Sequence, residues 1–162
     1  VTTEHEGEVS TILHDEISEG DMINLSAPVG GFSIENTERP QLFIGSGVGM
    51  TPLVSMFKKA ASLNVPTQMI QAVVTEDERP FAQKLDSITA NHEQAQLHLH
   101  VKDKEGYLEA KELEQYLSEQ PEIYICGGTN FLHSIINSLK ELNYDMNHVH
   151  FETFIPRLSV QV

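Results

Sequence analysis

The chain is poor in cysteine, in positive charge and in long apolar runs, and each shortage excludes something. A single cysteine, Cys126, among 162 residues rules out an intrachain disulfide framework and suits a reducing compartment, so a cytoplasmic setting is expected. Ten Lys and Arg stand against 24 Asp and Glu, a formal net charge of −14. Nucleic acid and anionic membrane both need basic patches, so neither is an expected partner. No apolar run approaches the roughly 18 residues that a spanning helix requires. There is no internal repeat, no low-complexity tract, and no Ser-His-Asp or Cys-His arrangement that demands a hydrolase. Metal-ligand groupings are scarce too. His98 and His100 share one face of a strand, but no third ligand is evident, so a polar solvent face is expected there and no metal. What remains is ordinary globular composition, 40% hydrophobic and 21% charged, in a chain long enough for one good domain or for one domain plus a remnant.

What is present centres on Phe43-Ile44-Gly45-Ser46-Gly47-Val48-Gly49-Met50-Thr51-Pro52. An apolar strand runs into three alternating glycines, then Thr-Pro and an amphipathic helix. Glycine lacks Cβ, so the chain can turn with positive φ and a ligand can touch the main chain. The helix start offers unpaired N–H groups and the positive end of a dipole, which together favour an anion such as a diphosphate. Pro52 suits the first turn, where its missing N–H is no loss. The G-x-G-x-x-G fingerprint is not met: counted from Gly45 its third glycine falls on Met50, and counted from Gly47 on Pro52. Glycine turns also join strands to helices with no ligand at all; the strand before and the helix after are the context that favours a dinucleotide. Its phosphates must then be held by local dipoles against the repulsive field of an acidic chain.

Residues 1–37 read as a piece of something larger. Gly7-Glu8-Val9-Ser10 opens a short helix, with Val9, Ile12, Leu13 and Ile17 at helical spacing. Gly20-Asp21 is a turn, 22–27 a strand, and Pro28-Val29-Gly30-Gly31-Phe32 another turn. So few elements cannot bury a core alone. After a polar linker over 36–40 the periods alternate: strands at 41–44, 68–74, 96–101, 123–126 and 148–152, helices at 52–63, 81–90, 110–118 and 131–142. The third strand is expected to turn Leu97, Leu99 and Val101 inward. This alternation predicts an α/β fold, a five-stranded parallel sheet wound on both faces over residues 38–162. Ligands of such sheets bind outside the carboxyl ends of the strands, where the glycine stretch, Cys126-Gly127-Gly128 and the tail from Glu152 to Pro156 all lie.

Three motifs, Gly47-Val48-Gly49-Met50-Thr51-Pro52, Tyr124-Ile125-Cys126-Gly127-Gly128 and Glu152-Thr153-Phe154, together resemble the ferredoxin–NADP reductase family. Leu25-Ser26-Ala27-Pro28-Val29-Gly30 and His150-Phe151-Glu152-Thr153-Phe154 make the likeness greatest to the reductase part of flavohaemoglobins, the nitric oxide dioxygenases. The resemblance covers essentially the whole chain. It implies an NAD(P)H-binding domain at 38–162, preceded at 1–37 by the remnant of an antiparallel FAD-binding β-barrel. It implies that Gly47, Val48, Gly49, Met50, Thr51 and Pro52 cradle the nicotinamide dinucleotide, and that Cys126, Gly127 and Gly128 border the nicotinamide. Phe154 would lie on the flavin, Glu152 would tune the redox centres, and Thr153, Ile155 and Pro156 would belong to the same cofactor-binding tail. Gly7 and Ser10 would face the flavin pyrophosphate. Electrons would pass through FAD to haem in a globin domain of the same polypeptide upstream of Val1.

The family's Arg-x-Tyr-Ser flavin motif is absent, and Ile155-Pro156 stands where relatives have Gly-Pro. The chain is therefore expected to be a fragment that holds FAD poorly and is inactive by itself. Taken alone, Cys126 and Phe154 read as core or interface residues, and Glu76-Asp77-Glu78 as a solvated loop. At the end of the second strand, those acidic groups would favour NADH over NADPH, with Arg79 close enough to blur the choice. Two other functions fit the same residues: a reductase component feeding an iron–sulfur or oxygenase partner, and a non-catalytic dinucleotide-sensing domain.

Overall fold

The structure is a computed structural model, and it describes residues 8–27 and 29–153. The chain divides into two compact units, the division falling between Gly31 and Phe32. In the first, α1 (Glu8–Thr11) runs straight into a wider π-type turn, Ile12–Glu16. It stops at Ile17, which is extended and donates its N–H to the carbonyl of Ile12. Ser18 and Asp21 close the expected turn around Gly20, with the Ser18 N–H on the Asp21 carboxylate at 2.8 Å. The strand expected at 22–27 does not form. Among the described residues of this unit its alternating apolar residues have no neighbouring strand to bond with, and Met22 is 99% exposed.

The second unit is a five-stranded, all-parallel sheet in the order β3-β2-β1-β4-β5. Its strands are β1 (Gln41–Ser46), β2 (Thr67–Val73), β3 (Ala95–Val101), β4 (Glu122–Gly127) and β5 (Val149–Thr153). Between them run α2 (Met50–Ser62), α3 (Ala82–Asn91), the single turn α4 (Lys102–Glu105), α5 (Ala110–Leu113) and α6 (Thr129–Glu141). Strand side chains alternate between faces, so Phe43 and Tyr124 pack with α2 and α3. Leu42, Ile44, Ile123 and Ile125 pack with α5 and α6 on the other face. Covered on both faces, the central strands are buried along their length and read as continuous apolar runs. Phe32 and Ile34 pack against the α2 side of the core, which is why the second unit begins before the linker at 36–40.

Three expectations are corrected. The helix at 110–118 stops as an α-helix at Leu113 and tightens into a 3₁₀ turn at Glu114–Tyr116. The turn α4, not expected at all, closes on Gly106 with φ 81°. The third correction concerns β3, whose second face is open to solvent only at Gln96 and closes towards its carboxyl end, with His98 half-buried. His100 is buried, bonded through Nε2 to the Gly106 carbonyl at 3.0 Å. His98 bonds Gln68 at 3.1 Å and packs on Tyr116 with ring centroids 4.8 Å apart. Burial pushes the His98 imidazole below its ordinary value. The cause is architectural: a sheet wound on both faces covers its edge strand too, so alternating polarity in β3 does not mark water. Among the described residues no group of three or more His, Cys, Asp or Glu is arranged to hold a metal, and no helix is long and apolar enough to cross a membrane.

Candidate functional site

β1 carries its chain to the carboxyl edge of the sheet, where Ser46 hands over to a 3₁₀ turn, Gly47–Gly49, and then to α2. The glycines of this turn do different work. Gly47 has φ +55° and nothing among the described residues within 4 Å of where a Cβ would stand, so it supplies the left-handed bend and leaves the main chain open to a ligand. Gly49 has an ordinary φ, but a Cβ there would sit 2.3 Å from the Cys126 carbonyl oxygen and 2.6 Å from the Gly127 nitrogen. It is the point where α2 presses on the end of β4. Thr51 Oγ1 donates to the Val48 carbonyl at 2.9 Å and ties the turn to the first turn of the helix. Gly47, Val48 and Thr51 face solvent, whereas Gly49 and Met50 are buried.

The register brings the other motifs to the same edge. Gly45 is opposite Cys126 across β1 and β4, Cys126 is opposite Glu152 across β4 and β5, and Gly127 is opposite Thr153. Burial first, and then the negative charge of Glu152, push the Cys126 thiol up to about 11. It is therefore a neutral, inert group at physiological pH. We expect iodoacetamide at about pH 7.5 to leave Cys126 unmodified in the folded chain and to label it only in denaturant; rapid labelling of native protein would contradict its burial. Gly127 has the Phe131 ring where its Cβ would be, at 2.6 Å, while Gly128 is open and caps α6. Thr153 Oγ1 is buried with no hydrogen-bond partner among the described residues. Ser10 lies in α1, in the first unit. Gly7, Pro28, Phe154, Ile155 and Pro156 lie outside the described residues.

Beside the glycine turn is a cavity of about 550 Å³ that the sequence did not disclose. Ser46 ends β1, and Val74 and Lys102 follow directly on β2 and β3; α6 supplies Asn130 and Phe131; and the loop after α4 supplies Tyr107. Tyr107 is 66% exposed, with Lys102 Nζ 4.5 Å from its ring centroid. Gly106-Tyr107 is one more glycine turn just past a strand's carboxyl end, the signal by which it could have been found. None of Glu76, Asp77 and Glu78 lines this cavity; Glu76 is instead paired with Lys104 at 2.5 Å.

A parallel sheet of this order, with a glycine turn opening a helix at its first strand, is the framework of a nucleotide-binding oxidoreductase module. Residues 43–136 match the oxidoreductase NAD-binding domain family, and the chain belongs to it. It is similar to the flavohemoprotein of Bacillus cereus, 30% identical over 96% of this chain and 43% of that protein. It is likewise similar to the flavohemoprotein of Pseudomonas aeruginosa, 28% identical over 99% of this chain and 43% of its relative. The chain thus spans less than half the length of these curated relatives. Among solved structures, the FAD/NAD-binding domain of a nitric oxide dioxygenase from Vibrio cholerae superposes with a TM-score of 0.83 at 28% identity. That match covers 93% of this chain and 65% of the other. A flavohemoglobin from Malassezia yamatoensis shares the fold, with a TM-score of 0.76 at 18% identity over 96% of this chain and 43% of that one.

Proposed function

We propose that this chain is the NAD(P)H-binding part of a flavin reductase that sends electrons through FAD to haem for nitric oxide dioxygenation. The observation that carries the reading is the open glycine turn at Gly47, set beside a large cavity at the carboxyl edge of the sheet. In this reading Gly47, Val48 and Thr51, with the first turn of α2 up to Pro52, hold the dinucleotide phosphates with backbone N–H groups. Gly49 and Met50 hold that turn against β4. The cavity under Tyr107 and Lys102 accepts the part of the dinucleotide remote from the reacting ring, with the phenol as a flat surface for a base. Cys126, Gly127 and Gly128 border the nicotinamide, and the dryness that keeps Cys126 un-ionised excludes water there. Glu152 sets a negative charge beside the reacting edge. Thr153, Phe154, Ile155 and Pro156 form the tail that covers the flavin, and Gly7 and Ser10 contribute to the flavin pyrophosphate site of a barrel ending near residue 37. When bound, the nicotinamide supplies hydride and the flavin divides it into single electrons, which is cofactor chemistry that the protein orients. The setting is cytoplasmic, and the haem belongs to a globin domain of the same polypeptide.

Titration of the 162-residue chain with NADH and with NADPH, followed by nicotinamide fluorescence, tests the first step. Binding is expected, and Tyr107→Ala is expected to weaken it about tenfold, or about 1.4 kcal/mol. No binding to either dinucleotide would remove the reading. The globin part is tested by the coding sequence upstream of Val1: a haem-binding globin is expected, and its absence would overturn that part alone.

A further inference from the structure

The amino ends of β4 and β5, opposite the glycine turn, hold a charged cluster that the proposed function does not use. Glu122 opens β4 with its side chain only 4% exposed. Its Oε1 accepts from His148 Nδ1 at 2.8 Å, and its Oε2 from His150 Nε2 at 2.9 Å. The second nitrogen of His148, Nε2, lies 2.6 Å from Nη1 of Arg39. A guanidinium can only donate. His148 Nε2 must therefore be the acceptor, and the imidazole is neutral with its proton on Nδ1.

Arg39 belongs to the strap 32–40 that leads the chain into β1. Its Nε donates at 2.8 Å to the Gln120 carbonyl, as does its Nη2. The strap is also held where the Glu35 N–H meets Tyr124 Oη at 3.1 Å and Phe32 packs edge-on against the Tyr124 ring. The remaining charged or titratable neighbours among the described residues are few. Asp145 Oδ2 is 3.8 Å from His148 Nε2, Glu35 Oε2 is 3.9 Å from His150 Nδ1, and Arg39 Nε is 3.9 Å from Glu122 Oε1. Tyr144, bonded to the Pro121 carbonyl, completes the set.

We propose that Arg39, His148 and Glu122 form a proton-operated latch on the strap. A proton taken from solvent by His148 must land on Nε2, where it opposes the N–H of Arg39. The guanidinium is displaced, the new N–H turns to the waiting carboxylate of Asp145, and Nδ1–H stays on Glu122. His150 is not the switch, because both of its nitrogens face carboxylates and a second proton there sets no donor against a donor.

Long-range proton–nitrogen spectra of the 162-residue chain at about pH 7.5 are expected to show His148 as the Nδ1–H tautomer; the Nε2–H tautomer would overturn the proposal. Amide protection at Glu35, referenced to an unstructured peptide at each pH, is expected to fall about tenfold between about pH 7.5 and 5.5. Protection of Phe43 and Ile44 in β1 is expected to hold. No loss at Glu35, or an equal loss in β1, would overturn it. His148→Gln keeps a donor and an acceptor without titrating, and is expected to keep Glu35 protected at the lower pH. The parent's pH dependence surviving in that variant would also sink the latch.

Discussion

Gly49→Ala is expected to cost about 3 kcal/mol of stability, the upper range for overpacking a core. The added methyl carbon would stand 2.3 Å from the carbonyl oxygen of Cys126 and 2.4 Å from its carbonyl carbon. Both are backbone atoms at the carboxyl end of a fully buried strand, so no side chain can swing aside. Either the start of α2 lifts from β4, carrying buried Met50 and Leu53 with it, or β4 leaves its place next to β1. Gly47→Ala is the contrast. Its Cβ would meet nothing, and only the positive φ resists it, at about 1–2 kcal/mol. Urea unfolding of the two variants separates the roles. If Gly49→Ala is as stable as the parent, the close approach of helix and strand is not a constraint on the fold.

Glu122→Gln is expected to be comparably severe at neutral pH, about 3 kcal/mol, because it removes the buried anion on which two imidazole N–H groups and a guanidinium converge. Burial alone would raise the Glu122 carboxyl. The hydrogen bonds from His150 and His148, and then the charge of both imidazoles in acid, outweigh it and hold the group below its ordinary value. A carboxylate depressed in the fold contributes stability that is present above the unfolded glutamate value. That contribution is lost as pH falls through the lower, folded value. The parent should therefore lose stability from about pH 4.5 downward, and the variant should show a flatter acid limb on top of its lower plateau. Unfolding midpoints measured from neutral pH into acid decide this: parallel curves for parent and variant would mean that the Glu122 charge does not contribute.

The core was legible because a sheet covered on both faces writes itself plainly. Leu42-Phe43-Ile44 and Ile123–Cys126 are unbroken apolar runs, and the helices between them keep a period near 3.6. The same sheet hid β3, whose Leu–His alternation looks like a strand with one wet face until the 3₁₀ turn at Glu114–Tyr116 is seen to cover it. Residues 22–27 misled for the opposite reason: period-two polarity is necessary for a half-buried strand, but a strand exists only where another can bond to it. The glycine turn was readable as local grammar. Tyr107, Lys102 and Asn130 were not, because the cavity joins the ends of separate strands and a helix, and nothing in the spacing of those residues foretells a common wall. Arg39, Glu122 and His148 are further apart still, and Glu122 reads in sequence as a polar residue at a strand boundary, not as the buried centre of a cluster.

The stretch of the first unit that pairs with no strand among the described residues has a practical consequence for handling the chain. Met22, Leu25 and Val29 are almost wholly exposed, 99%, 82% and 93%, and they sit close together in sequence. Exposed apolar side chains are adhesive, and here the main force keeping molecules dispersed is their shared negative charge. That repulsion vanishes near the isoelectric point, about 4.8, and is screened at high ionic strength. Buffers well above that pH and of low salt will keep the protein in solution, and mildly acidic, salty ones will precipitate it while its sheet is still folded.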